Sequence, residues 1–382
     1  MFEDNVSAYD LTKEGEYFEK NGQYEEARDS YLKAIEILSK QIENEKWYVK
    51  IYGDNEDFKK SGKADDFYDL GRLYCKIKHY EKAINSFLKC VELYPDSTTY
   101  LVGLGDAYFQ NGNMEEAIDS LLKLTKLRPN ISDYWGRLGG YYWKNGNNEK
   151  AIESFLKCVE LKPNDALGWA ALGSSYYESG KDIEAIQCLS KSIELNPNHL
   201  DSWRKLGCAY YQLDKYTEAI RCSTNAIKLN PNDPQSLCVL GFSYNSLGKH
   251  MDAIRCLREA VELDPNNDES WRVLGCSYNL LGNFVASIEC LLRAVKLNPN
   301  NADSLANLGI AYGISGRLQE AKEYLSKSIE LNPNNANSWH SLGLVYNGNR
   351  QYKEAKECFS KAVELEPNHI ESRNMLDRLN NT

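Results

Sequence analysis

The chain has 382 residues, more than one compact core usually encloses, so it holds either several domains or an array of repeats. Hydrophobic residues make up 42% and charged residues 26%, and no apolar run approaches the roughly 20 residues that span a bilayer, which excludes a membrane-spanning helix. A net charge of -10 opposes a phosphate backbone, because nucleic-acid affinity comes largely from Lys and Arg displacing condensed counterions.

The opening MFEDNVSAYDLTKEGE is acidic and lacks the basic start and apolar stretch of a secretory signal, so a cytoplasmic location is expected. From Ala8, the series Leu11, Gly15, Phe18, Gly22, Ala27, Tyr31 and Ala34 sets small and large apolar residues in an order that recurs later in the chain. Ser39 stands where the later copies have proline, and the next copy starts 56 residues after Ala8, which implies an insertion of 22 residues. The second helix is expected to run on through Trp47 and Tyr48, followed by an exposed polar stretch, GDNEDFKKSGKADD. Two readings stand for this insertion: an overlong helix with a surface loop, or a regulatory hook.

From residue 64 onward the chain keeps strict time. Pro95, Pro129, Pro163, Pro197, Pro231, Pro265, Pro299, Pro333 and Pro367 follow one another at 34-residue intervals. With each proline at position 32, the units begin at Ala64, Thr98, Ser132, Ala166, Leu200, Pro234, Asp268, Ala302 and Ala336. Position 7 is always Leu, position 8 always Gly and position 11 always Tyr, while position 4 is Trp or another large apolar residue. Trp203, Leu206 and Tyr210 thus lie at i, i+3 and i+7 on one helical face. Ala151, Phe155 and Cys158 repeat that logic on a second helix at positions 20, 24 and 27. Small residues at positions 8 and 20 let the two helices approach closely. Gly112, Gly146, Gly180, Gly248, Gly282 and Gly316 at position 15 end the first helix, and Lys78, Asp214 and Arg350 depart from that pattern. The second helix stops before the proline, which disfavours helical geometry in the residue preceding it.

A period of 34 with Trp135, Leu138, Gly139, Tyr142, Ala151, Phe155 and Pro163 resembles the tetratricopeptide repeat. The resemblance covers residues 64–369 without a gap and implies an all-α solenoid, a right-handed superhelix of antiparallel helix pairs whose first helices line an inner groove. The expected organisation is a divergent repeat with its insertion over 1–63, nine tandem units over 64–369 and a capping helix over 370–382. In that cap Ile370, Met375, Leu376 and Leu379 are expected to cover the last hydrophobic face, as an open-ended solenoid requires.

No catalytic constellation is visible: the five histidines do not recur with an acid and a nucleophile in triad spacing, so no enzymatic activity is expected. No cofactor and no metal are expected either, since the 11 cysteines include no C-x-x-C pair. Cys188, Cys222, Cys256, Cys290 and Cys358 share position 23, and their successive copies on neighbouring helices point to buried, reduced thiols. Acidic residues at position 2, among them Asp201 and Glu269, read either as a lane for a basic ligand or as first-turn carboxylates facing the helix dipole.

What remains is a protein-interaction scaffold that holds a peptide or partner segment in the groove. A regulatory or targeting subunit of an enzyme complex, such as a transferase, and an RNA-binding helical repeat are the alternatives. The co-chaperone clamp of this family, which grips an acidic chaperone tail, is not expected, because the nearest set (Arg272, Asn307 and Ser341) lacks most of its cations and amides. By the family's geometry position 12 faces the groove, and its occupants change from Phe109, Trp143, Tyr177 and Tyr211 to Asn245, Asn279, Gly313 and Asn347. Aromatic faces stack on apolar or Arg side chains, and asparagine offers both a donor and an acceptor to an extended backbone. Arg204, Arg272 and His340 at position 5 are expected to flank the same lane. The alternative for the column is packing against the adjacent hairpin.

Overall fold

The computed structural model describes residues 7–380, with every side chain among them except that of Glu45. Those residues form twenty-two α-helices and no strand. They divide into two compact units, 1–181 and 182–382.

The first unit opens with the hairpin α1 (Ala8–Lys20) and α2 (Tyr24–Glu43), then α3 (Glu45–Tyr52). Next come the pairs α4 (Glu56–Lys76) with α5 (Tyr80–Leu93), α6 (Thr98–Asn111) with α7 (Met114–Leu127), and α8 (Ser132–Lys144) with α9 (Asn148–Leu161); α10 (Ala166–Glu178) ends this unit. The second unit starts at α11 (Asp182–Leu195). It continues with α12 (Leu200–Gln212) and α13 (Tyr216–Leu229), α14 (Pro234–Ser246) and α15 (His250–Leu263), α16 (Asp268–Leu280) and α17 (Phe284–Leu297). α18 (Ala302–Ile314) and α19 (Leu318–Leu331), α20 (Ala336–Gly348) and α21 (Tyr352–Leu365), and finally α22 (Ile370–Asn380) complete it.

Each recurring residue has a structural task. A Cβ at Gly139 would lie 2.8 Å from the Phe155 ring, and one at Gly241 would lie 2.5 Å from Leu257, so position 8 must be glycine for the second helix to close on the first. The position-4 indole donates to the preceding unit's proline carbonyl, as Trp169 Nε1 does to Pro163 at 2.8 Å and Trp271 Nε1 to Pro265 at 2.9 Å. Where position 4 is Trp, the preceding proline carbonyl thus satisfies its indole N–H. The residue before position 1 caps the first helices α14, α16, α18 and α20: Asp233, Asn267, Asn301 and Asn335 accept from the backbone N–H of Ser236, Ser270, Ser304 and Ser338. At position 15 the backbone is left-handed whatever the residue, with φ of 61° at Lys78, 56° at Asp214 and 61° at Arg350.

The insertion differs from the expectation. α2 stops at Glu43; Asn44 (φ -97, ψ 88) breaks the helix, and its side chain caps α3 by accepting from the Trp47 N–H. The polar stretch is mostly helix rather than exposed loop, because Asn55 accepts from the N–H groups of Asp57 and Phe58 and starts α4 well before Ala64. Gly62 is buried under Tyr52, where a Cβ would lie 2.4 Å from the ring, and Tyr48 donates to Asp66 at 2.6 Å. α3 is thus bolted along the front of α4.

α22 packs on α21, as a cap does, with Met375, Leu376 and Leu379 half-buried. Ile370 does not join them: it is 68% exposed. None of the 11 cysteines forms a disulfide, and nine of them are buried. Burial pushes the Cys222 thiol up to about 12 and those of Cys188, Cys290 and Cys358 to about 11.

Candidate functional site on the first-helix face

Successive first helices touch one another directly: α4 with α6 and α8 with α10 in the first unit, and α12, α14, α16, α18 and α20 in turn in the second. This leaves a side of each unit lined by first helices, and positions 5 and 12, seven residues apart, share one side of each of these helices.

In the first unit Phe109 stacks on Tyr141 (4.2 Å, 10°), and the Lys144 ammonium lies 4.5 Å above its ring. Tyr141 in turn donates to Asp106 at 2.9 Å, beside the bidentate Arg137–Asp106 pair. Trp143 is 43% exposed and donates its indole N–H to Glu178; Tyr177 is half-buried. In the second unit the Tyr211 ring lies tilted against Phe242 (6.0 Å, 46°). Asn245 Oδ1 accepts from the Ser277 hydroxyl at 2.8 Å, whereas Asn279 Oδ1 is buried and accepts no hydrogen bond. Ser277 is position 10 of the unit after Asn245; in the unit after Asn279 that position is Ala311, which has nothing to donate. Asn347 is half-buried on α20.

The position-5 cations are occupied. Arg204 pairs with Asp201 and with Asp233 (3.4 Å), and Arg272 with Glu269. Asp201 and Glu269, in the first turns of these helices, thus serve as partners for the Arg three residues on, a spacing that the sequence displays. His340 turns toward the cap: its ring lies 4.9 Å from His369 and 5.5 Å from Phe359, and its Nδ1 shares a hydrogen bond with Ser372 at 2.8 Å.

Two concavities open on this face. The larger, about 710 Å³, lies in the first unit between α1, α3, α4 and α6, and is walled by Tyr9, Trp47, Tyr68, Arg72, Val102 and Asp106. The α3 insertion supplies one wall through Trp47; the sequence reading expected helix there, but as a continuation of α2 and not as a separate helix beside a cleft. Burial lifts the carboxyl groups of Asp66 and Asp69 in this cleft above the usual carboxylate range. The smaller, about 230 Å³, lies in the second unit at α18 and α20. Among the described residues no group of His, Cys, Asp or Glu is arranged to hold a metal, and no helix is long and apolar enough to cross a membrane.

Comparison with known proteins agrees with this architecture. The family described as cilia and flagella-associated protein 70 C-terminal domain matches residues 98–274, and tetratricopeptide-repeat families match residues 11–37, 64–97, 275–313, 302–335 and 336–369. No curated protein sequence matches. Among solved structures, the APC/C hetero-tetramer Cut9–Hcn1 is similar over 98% of this chain and 90% of that one, with 18% identity and a TM-score of 0.53. PilF of Pseudomonas aeruginosa is similar over 56% of this chain and 97% of its own (17% identity, TM-score 0.49), and MamA over 44% and 92% (31% identity, TM-score 0.40). A 34-residue clock, the glycine and proline contacts that enforce it, and family matches from residue 11 to residue 369 make this chain a tetratricopeptide-repeat protein.

Proposed function

We infer that the chain is a protein-interaction scaffold whose first-helix face takes an extended segment of a partner protein. The cleft of the first unit carries this reading. At about 710 Å³ it is the size of an ordinary ligand site, and it mixes exposed aromatic surface (Tyr9 is 69% exposed) with a few placed charges. Trp143, farther along the same face, is an exposed indole of the kind that anchors interfaces. A reactive constellation is not needed for such a task, and the position-12 asparagines add donors and acceptors suited to a peptide backbone.

Selection of a random 12-residue peptide library on the whole chain tests this. Thr12, half-buried on the wall of the cleft, is replaced by Trp to block it. The enriched peptides are expected to lose binding to Thr12→Trp while its melting temperature stays within a few degrees. Replacing Trp143 and Tyr177 together by Ala is expected to cost a peptide that reaches them about 2 kcal/mol or more. Enriched peptides indifferent to all of these changes would remove the first-unit face from consideration.

A further inference from the structure

The charges that line the first-unit cleft are paired, with one exception. Lys13 meets Glu16 at 2.9 Å, Lys76 meets Glu19 at 2.7 Å, Arg72 meets Asp69 at 3.8 Å, and Asp106 meets Arg137 at 2.9 Å. Asp66, half-buried on the α4 wall beside α3, has no cation: its one hydrogen bond among the described residues comes from the Tyr48 hydroxyl at 2.6 Å. Burial, against the opposing Tyr48 bond, and then Asp69 and Asp65 lift its carboxyl above the usual range. The aromatic walls show the same imbalance. Lys13 Nζ lies 5.6 Å from the centre of the Tyr9 ring and the Arg72 guanidinium 6.0 Å from that of Tyr68, whereas the Trp47 ring has no cation over it among the described residues. Trp47 packs edge-on against Tyr48 at 5.0 Å, so the unpaired indole and the unpaired carboxylate border the same tyrosine.

A half-buried carboxylate without a counter-ion is a cost that the folded chain carries, and a cation brought by a ligand removes it. The shape and walls of the cleft decide which cation. A volume of about 710 Å³ admits a whole side chain, and no group of His, Cys, Asp or Glu among the described residues is arranged to hold a bare metal ion. An aromatic face beside a carboxylate suits a long cationic side chain, whose methylene stem lies on the ring while its head meets the acid. An apolar side chain in the same place would strip water from Asp66 and give it no partner, and an acidic one would be repelled. We propose that the α3 wall of the cleft holds one Lys or Arg side chain of the partner, with its stem along Trp47 and its charge on Asp66. The proposal rests on the scaffold reading and adds to it the chemistry of the bound segment. Trp47 and Tyr48 belong to the insertion, outside the 34-residue period, so this selectivity is not one that the repeat itself carries.

The test is the same peptide selection on the whole chain, followed by affinities of the enriched peptides that Thr12→Trp blocks, since those occupy the cleft. They are expected to carry a Lys or Arg whose exchange for its neutral analogue, norleucine for Lys or citrulline for Arg, lowers affinity at least tenfold. Asp66→Asn keeps an acceptor for Tyr48, so its melting temperature is expected to stay within a few degrees while it loses the basic peptide at least tenfold. The neutral peptide is expected to bind Asp66→Asn no worse than it binds the unaltered chain, because the two losses are one interaction. Trp47→Ala is expected to cost severalfold, and Asp69→Asn, whose charge already has Arg72, less than threefold. Cleft peptides that lack a basic residue, or that exchange it for the neutral analogue at no cost, overturn the proposal and keep the scaffold reading. Equal losses on Asp69→Asn and Asp66→Asn overturn the assignment to Asp66 in favour of a diffuse acidic field. A selection that enriches nothing, or only peptides indifferent to Thr12→Trp, sinks the cleft reading and this site with it. The exchange within the peptide is measured on the unaltered protein, so it decides the matter even if Asp66→Asn does not fold.

Discussion

At Lys78 the backbone sits at φ 61°, a left-handed geometry that six other units give to glycine, and an L side chain there costs about 1 kcal/mol. Lys78→Gly is therefore expected to raise the unfolding free energy by roughly 0.5–1 kcal/mol, read as a shifted midpoint in urea at unchanged slope. The converse, Gly248→Ala at φ 74°, is expected to lower it by a similar amount. Both effects follow from the turn alone, since a Cβ at Gly248 meets nothing within 4 Å. The turn was legible in the sequence even where its glycine was missing, because the flanking residues kept the 34-residue interval. The partners of Arg204 and Arg272 were equally legible in Asp201 and Glu269, three residues before them, although neither reading of those acids, a ligand lane or the helix dipole, named the pairing. The orientation of His340 was not. It depends on His369 and Ser372, which lie beyond the last full repeat and follow no periodic rule.

Two helices outside the repeat pattern show what an element gains from its neighbours. α3 is eight residues long, too short to persist in water by itself, and it is held by Tyr48 on Asp66 and by Tyr52 over Gly62. Gly62→Ala would place a Cβ 2.4 Å from the Tyr52 ring, and the expected outcome is a loss of about 1–3 kcal/mol with early amide exchange in α3. Helix through Trp47 and Tyr48 was legible, but the break at Asn44 and the helical front of α4 were not, since they rest on the side-chain caps of Asn44 and Asn55 rather than on an apolar stripe. The cap α22 is expected to respond to pH. Burial, and then the neighbouring His369, hold the His340 imidazole below its usual 6.5, with Glu371 opposing. The folded chain thus binds its proton less readily than the unfolded chain, so the contribution is complete above about 6.5 and is lost as pH falls through the folded value. The protection factors of the α22 amides, which allow for the slower intrinsic exchange in acid, should therefore fall on acidification between pH 7 and 5, and His340→Gln should flatten that response. An α22 equally protected at both pH values would remove His340 from its hold.

The repeat logic is local: position-8 glycines let each second helix close on its own first helix, and where position 4 is Trp its indole ties the hairpin to the proline carbonyl before it. Deleting residues 268–301, one complete unit, is expected to leave the mean residue helicity by circular dichroism unchanged, because the junction restores the register. The architecture was readable from spacing because nearly every repeated residue has a backbone or core task. The first-helix face was less readable, since its residues answer to whatever binds there and not to the fold. The central claim, that a partner segment lies along first helices, is tested most directly by hydrogen exchange on the whole chain with and without an enriched library peptide. The account predicts slowed exchange in the first helices α4 and α6, with their paired second helices little changed. Protection confined to the second helices would contradict it.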